Sequence, residues 1–217
     1  MKKNKRDYQN SFPSVTQVLG VLRKIALEYW FKVNTLQFIT EESNKGKTIG
    51  TQIHTAIQEY IETGTAKIDT EYAVEVSNAL NSFILFSREN KDIKFKRSEI
   101  ALTSQEHGFN GTIDCVALDG DKLIIGDWKT GKKSDKEKPP VYDEYLTQVA
   151  AYVYLYNENN SEKVNEAIIV PIAKDTVAYN THRMDREQID VCFNDCFLPA
   201  LKIYNHQKRS KKWVSTK

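Results

Sequence analysis

From Val15 onward, apolar residues recur at helical intervals: Val15, Val18, Leu22, Ile25, Ala26, Tyr29, Trp30 and Val33. Ser14 and Gln17 have capping-box spacing, so this series predicts a first helix beginning at Val15. A second helix is predicted over 48–63, where Ile49, Ile53, Ile57, Tyr60 and Ile61 share one side and Gly64 supplies the stop. A third is predicted over 71–89. The pattern then turns to alternation over 94–103, followed by two strand-like arms over 112–118 and 122–128. Past the Pro139-Pro140 break, 142–157 is again helical in period and 167–173 is a short buried strand. An edge strand is expected over 177–182. Asp185 caps a last helical region, which Pro199 must kink or divide.

Both faces of the two arms are apolar. Alternation assigns Ile113, Cys115 and Ala117 to one face and Val116, Leu118, Leu123 and Ile125 to the other. A sheet covered by helices on both sides has this composition, so the order of elements predicts an α/β fold with a central mixed sheet flanked by helices. No internal repeat or low-complexity linker divides the chain, and residues 1–217 are expected to form a single domain, with basic tails at 1–10 and 208–217.

The arms also carry charge where burial is expected. If Asp119-Gly120 is a two-residue hairpin loop, Leu118 faces Asp121 and Asp114 faces Ile125. Ile125, Asp127 and Lys129 then share the face of Asp114. Asp114 and Asp127 become diagonal neighbours about 7–8 Å apart, close enough for one cation to bridge them, with Lys129 beside them. A three-residue turn including Asp121 would put Asp127 and Lys129 on the opposite face and break the site. Two aspartates and a lysine inside apolar strands each cost several kcal/mol unless a cation or ion pair compensates. The plain alternative is a structural Asp–Lys pair, which leaves the second carboxylate unexplained.

The net charge of +2 excludes a bulk polycation, but basic residues cluster at 2–6, 132–138 and 208–212, the last followed by Trp213. Lys132 and Lys133 lie next to the carboxylates, where a phosphate ligand would need positive charge. Three cysteines, Cys115, Cys192 and Cys196, are too few for a disulfide framework and read as small buried hydrophobes. With no apolar run of membrane-spanning length and a basic, polar start from Met1 to Asn10, a cytoplasmic, intracellular protein without membrane association is expected.

Four further residues bear on the site. His54 sits mid-helix on the edge of an apolar face, a place where a packed side chain is the plain reading and a metal ligand the sharper one. An imidazole beside two carboxylates shifts preference from Mg²⁺ toward Mn²⁺. Glu99 is an additional acidic candidate, pointing either inward or to solvent. Gln148 and Tyr152, one helical turn apart, can both reach a phosphate or Lys129. Trp128 alternates away from the site, which leaves Tyr142 and Tyr145 as candidates for stacking on bases.

The set Gly50 to His54, Glu99, Gly111-Thr-Ile-Asp114, Asp127-Trp-Lys-Thr-Gly131 and Gln148 to Tyr152 resembles the RecB-like branch of the PD-(D/E)XK nuclease superfamily, over roughly residues 12–173. The opening Phe12-Pro-Ser-Val-Thr-Gln17 resembles that of phage-type members. The resemblance implies a restriction-endonuclease-like core with N-terminal helices and a C-terminal helical extension. It implies Mg²⁺ or Mn²⁺ held by His54, Asp114 and Asp127, and catalysis by Lys129 with Asp114, Asp127, Gln148 and Tyr152. Ile113 stands where the superfamily's name has proline, as is ordinary in this branch. Relatives with an iron–sulfur cluster carry an early cysteine; none precedes Cys115, so no cluster is expected. The implied activity is metal-dependent hydrolysis of DNA phosphodiesters by an exonuclease acting on single-stranded or end-containing DNA. No Walker-type loop is present, so a helicase or other replication or recombination partner would be a separate chain. The alternatives are a catalytically silent nuclease fold serving as a DNA-binding or assembly module, and an unrelated α/β interaction protein with solvent-facing carboxylates.

Overall fold

Ser14 Oγ accepts the Gln17 N–H while Gln17 Oε1 accepts the Ser14 N–H, the reciprocal cap expected from their spacing, and α1 (Val15–Leu19) follows. In the computed structural model, which describes residues 12–23, 25–133 and 138–214, the apolar series running to Val33 is not one helix. It stops at Gly20, and α2 (Ile25–Val33) starts afresh. A glycine costs about 1 kcal/mol in a helix interior, which makes Gly20 the weak point of the series. The next helix, α3 (Leu36–Thr63), is longer than expected: Thr35 accepts the Phe38 N–H at its start, well upstream of 48, and Gly64 ends it with φ 80°. Only its second half is in the core, through Ile49, Ile53, Ala56 and Ile57. Helix α4 (Ala73–Glu89) lies beside it and buries Val76, Leu80, Phe83 and Phe86.

Five strands form one sheet in sequence order: β1 (Ile93–Ser104), β2 (Phe109–Asp119), β3 (Lys122–Gly131), β4 (Glu166–Ala173) and β5 (His182–Met184). Only β3 and β4 pair in parallel, and α5 (Asp143–Asn159) makes the crossover between them. This is the expected mixed sheet. The edge strand is shorter and later than the alternation of 177–182 suggests: before His182 only an isolated Tyr179–Ile172 bridge joins β4. Helices cover both faces. One core packs α3 and α4 against Cys115, Ala117, Ile124, Trp128, Ile168 and Val170. The other packs α5 and the terminal helices against Ile113, Val116, Ile125 and Ile169. Trp128, 3 % exposed, sits edge-on to Phe83 with ring centroids 5.0 Å apart, as its alternation predicts.

The hairpin register differs from the expected one by two residues. Asp119 pairs with Lys122 and Leu118 with Leu123, so the loop is Gly120-Asp121, with Gly120 at φ 62°. A shift of two preserves parity, which is why Asp114, Asp127 and Lys129 remain candidates for one face. The assignment of Ile113 does not survive. It belongs to the α5-side core although Cys115, two residues on, belongs to the α3 side, so alternation breaks at Asp114. After Asp185, which caps α6 (Arg186–Val191), the chain reaches Pro199 without dividing. It widens into a π-helical turn over Cys192–Phe197 and continues as α7 (Leu198–Val214). Proline lacks an N–H and crowds the carbonyl four residues back; the wider turn relieves that conflict. The basic segment from Lys208 to Val214 therefore lies in α7, whereas the basic residues of 1–10 fall outside the described residues.

Candidate active site

The site forms where the β2–β3 ladder stops. Paired residues end at Cys115 and Gly126, and the next position on each strand is Asp114 and Asp127. Instead of continuing the ladder, Asp114 Oδ2 accepts the Trp128 backbone N–H at 2.8 Å. On the other side of β2, the pairs Ser98–Cys115 and Ile100–Ile113 flank Glu99, which has φ 50°. A glutamate in that region is strained by about 1–3 kcal/mol, and such strain persists only where surroundings hold it. At Gly50, α3 passes beside β3, and a Cβ there would make ordinary contact with Thr130 Oγ1 at 3.6 Å. One turn further along α3 is His54.

These elements bring His54, Glu99 and Asp114 together. His54 Nδ1 lies 3.5 Å from Glu99 Oε1 and 3.5 Å from Asp114 Oδ1, and one ligand atom from each of the three falls within 4.8 Å of the others. Glu99 thus points inward, the alternative that parity left open. Asp127 stands next to this group: it is fully buried, and Lys129 Nζ lies 2.6 Å from its Oδ2. That contact is an ion pair without good hydrogen-bond direction, and Asp127 Oδ1 has no donor among the described residues.

Burial alone would lower the His54 pKa, but the Asp114 charge and hydrogen bonding to Asp114 and Glu99 outweigh it and raise the imidazole to about 10. Asp114 shows the complementary balance. Desolvation favours its neutral form, yet His54, Lys129 and the Trp128 N–H hold it below the usual carboxylate value. Asp127 goes the other way, pushed up to about 6 by burial and by the Asp114 charge despite Lys129. The pocket is therefore short of positive charge. Two carboxylates and an imidazole with room for a shared ligand, beside a buried carboxylate oxygen without a donor, fit a hard divalent cation.

Around this centre, Lys129 Nζ lies 5.5 Å from the Tyr145 ring centroid, and Tyr145 meets Tyr142 edge-on. An open cleft of about 270 Å³ adjoins them, lined by Lys129, Lys132, Lys133, Tyr142 and Tyr145 among others. All four residues proposed from sequence to meet nucleic acid are on its wall. On α5, Gln148 Nε2 donates to Tyr152 Oη at 2.8 Å, so the pair is joined internally. Tyr152 and Leu155 press on β2 at Gly111, where a Cβ would come within 2.7 Å of Leu155. The Trp128 N–H that fixes Asp114 and the left-handed backbone of Glu99 leave no trace in residue type or spacing.

The chain belongs to the PD-(D/E)XK nuclease superfamily, whose family model matches residues 70–191. Members of that superfamily use divalent metals, in keeping with the acidic cluster. Among curated proteins, the chain is similar to "Mitochondrial genome maintenance exonuclease 1" of Xenopus tropicalis, at 36% identity over 126 residues, 55% of this chain and 35% of that one. The protein of the same name from Homo sapiens is 28% identical over 217 residues, 94% of this chain and 61% of that one. The chain therefore spans between about a third and three fifths of the length of these relatives. Among solved structures, a phage related exonuclease from Haemophilus somnus 129PT aligns over 91% of this chain and 93% of that one, with 14% identity and a TM-score of 0.42. No helix among the described residues is long and apolar enough to cross a membrane.

Proposed function

We propose that this protein is a divalent-metal-dependent deoxyribonuclease that hydrolyses phosphodiester bonds, an exonuclease on single-stranded or end-containing DNA. The observation that carries the reading is the convergence of His54, Glu99 and Asp114 beside the Asp127–Lys129 pair, at the point where two strands part. His54, Glu99 and Asp114 would hold Mg²⁺ or Mn²⁺, with Asp127 as a further ligand. When bound, such a cation polarises a phosphoryl oxygen and makes water acidic enough to attack at neutral pH.

The remaining work falls to the chain's own groups. Asp127 holds the Lys129 ammonium at the mouth of the cleft, where it faces a phosphate and stabilises charge developing on the non-bridging oxygens. Lys132 and Lys133 neutralise neighbouring phosphates, and Tyr142 and Tyr145 offer rings to bases. Gln148 donates to Tyr152 within α5, which orients the Tyr152 hydroxyl, while the Tyr152 ring packs on β2 at Gly111. Exonuclease action and a DNA substrate rest on the names of the similar proteins.

The test compares linear single-stranded, linear duplex and closed circular DNA with Mn²⁺ or Mg²⁺. Cleavage of the linear forms alone is expected. Equal cleavage of circles would remove the exonuclease reading, and tight DNA binding without metal-dependent turnover would favour the silent binding module.

A further inference from the structure

The basic segment at the end of the chain takes no part in the site described above, yet it borders a second cavity. An open groove of about 520 Å³ lies between α7 and the β1–β2 turn, lined by Phe12, His107, Gly108, Asn205, Lys208 and Arg209 among others. Asn205, Lys208 and Arg209 are spaced i, i+3, i+4 and so share one face of α7. Lys208 and Arg209 are exposed, and Trp213, one turn beyond Arg209, is 69 % exposed and meets His206 edge-on at 6.1 Å. The opposite wall is pre-formed. Asn110 donates its backbone N–H to Pro13 O at 2.8 Å and its side-chain amide to Phe12 O at 3.0 Å, while the Phe12 ring packs against Gly108, which has φ 75°.

Charge marks this groove off from the rest of the molecule. From Cys196 to Lys217 there are six Lys and Arg and no Asp or Glu, so the first 195 residues carry 25 basic against 29 acidic side chains. Acidic groups at the β1–β2 turn include Glu106, 3.8 Å from His107 and largely in solvent, and Glu158, whose carboxylate accepts the Gln105 and Glu106 backbone N–H groups. Two of those six cations, Lys208 and Arg209, line a groove with an aromatic wall. That combination, cations for a backbone and rings for bases, suits a single nucleic-acid strand.

Position relates the groove to the active site. Strands β2 and β3 run antiparallel from the Gly120-Asp121 turn, so the start of β2 and the end of β3 lie at one end of the sheet. Phe109, next to the groove, is five residues before Asp114 in the site, about 16 Å along an extended strand. At about 3.4 Å per stacked nucleotide, that is a span of about five nucleotides. We propose that the groove between α7 and the β1–β2 turn is a second contact for single-stranded DNA, with Lys208 and Arg209 on its phosphates. The inference rests on the nuclease reading for the identity of the strand.

The test is fluorescence anisotropy with single-stranded DNA of about 20 nucleotides, several times that span, from about 50 to about 200 mM salt. Wild type is compared with Lys208→Glu/Arg209→Glu and the milder Lys208→Gln/Arg209→Gln, together with steady-state cleavage in Mn²⁺. Both side chains are exposed, and equal thermal melts will show that the variants fold. Loss of two phosphate contacts should lower the slope of log K against log salt by about 1.4. Affinity should fall about tenfold or more in the charge-reversed variant, with KM raised and kcat unchanged. Unaltered affinity and slope in both variants, with wild type cleaving DNA, overturns the groove alone. Binding lost in the variants while wild type cleaves nothing supports the groove and overturns the nuclease reading. If wild type neither binds nor cleaves, both fall.

Discussion

The two ends of the β2–β3 hairpin follow opposite rules. Near the turn, from Cys115 to Asp119 and from Lys122 to Gly126, residues pair in unbroken register and Val116, Ala117, Ile124 and Ile125 vanish into two cores. Beyond Cys115 and Gly126 the ladder ends, and Asp114, Asp127 and Lys129 appear at positions that burial would otherwise reserve for apolar side chains. A regular ladder satisfies its own backbone and leaves nothing for side chains to do. Where it is interrupted, the Trp128 N–H is released to Asp114, and buried charge becomes tolerable because each group has a partner. The stable half of the hairpin holds the costly half in place.

The change that most sharply separates the two halves is Lys129→Ala. Removing the ammonium that faces the cleft should lower kcat/KM on linear single-stranded DNA in Mn²⁺ by roughly 10²–10³-fold, by analogy with loss of one preorganised donor. Undiminished turnover would sink the assigned role. Gly111→Ala comes next. A Cβ would meet Leu155 at 2.7 Å and Tyr152 at 3.0 Å, both on α5, so overpacking should destabilise the fold by about 1–3 kcal/mol in denaturant titration. Because the same helix carries Gln148 and Tyr152, cleavage should fall as well.

A third prediction concerns pH in the metal-free protein. The His54 pKa is raised from 6.5 to about 10, so its contribution to stability is fully present below 6.5 and is lost as pH rises through 10. Asp127, raised from 3.8 to about 6, likewise takes stability away as pH climbs through that interval. Melting in EDTA should therefore occur at lower temperature at pH 9 than at pH 6.5, and His54→Asn should flatten the difference. A wild-type profile that rises between those values would contradict the balance described for the cluster. The smallest effect belongs to the regular half. Gly120→Ala meets no neighbour but must keep φ 62°, so it should cost about 1 kcal/mol in stability while leaving cleavage as it was.

Much of this arrangement is visible in residue order. The Ser14–Gln17 cap, the Gly64 stop, the mixed sheet and the inward face of Trp128 all follow from spacing. The turn sits one residue later than the Asp119-Gly120 count, which moves each cross-strand partner by two and leaves the parity of Asp127 and Lys129 unchanged, whereas Asp114 is fixed by the Trp128 N–H where alternation breaks. The same rule misplaced Ile113, since it assumes an unbroken strand and the strand breaks at Asp114. Glu99 was undecidable by parity because its own backbone departs from the extended region. The single helix expected from Val15 to Val33 failed for a related reason: helical period reports which residues share a face, but not whether a glycine lets the axis stop.

The sequence by itself determined the succession of helical and extended segments, the mixed sheet and the presence of charge within apolar strands, because period, caps and charge in apolar runs are local properties. Tertiary structure alone decided that Glu99 joins His54 and Asp114 while Asp127 pairs with Lys129, and that α7 turns its cations toward a groove behind the β1–β2 turn. Those choices depend on where strands cease to pair and how helices lie across them, and contacts between segments far apart in the chain are set by packing, which no local pattern encodes.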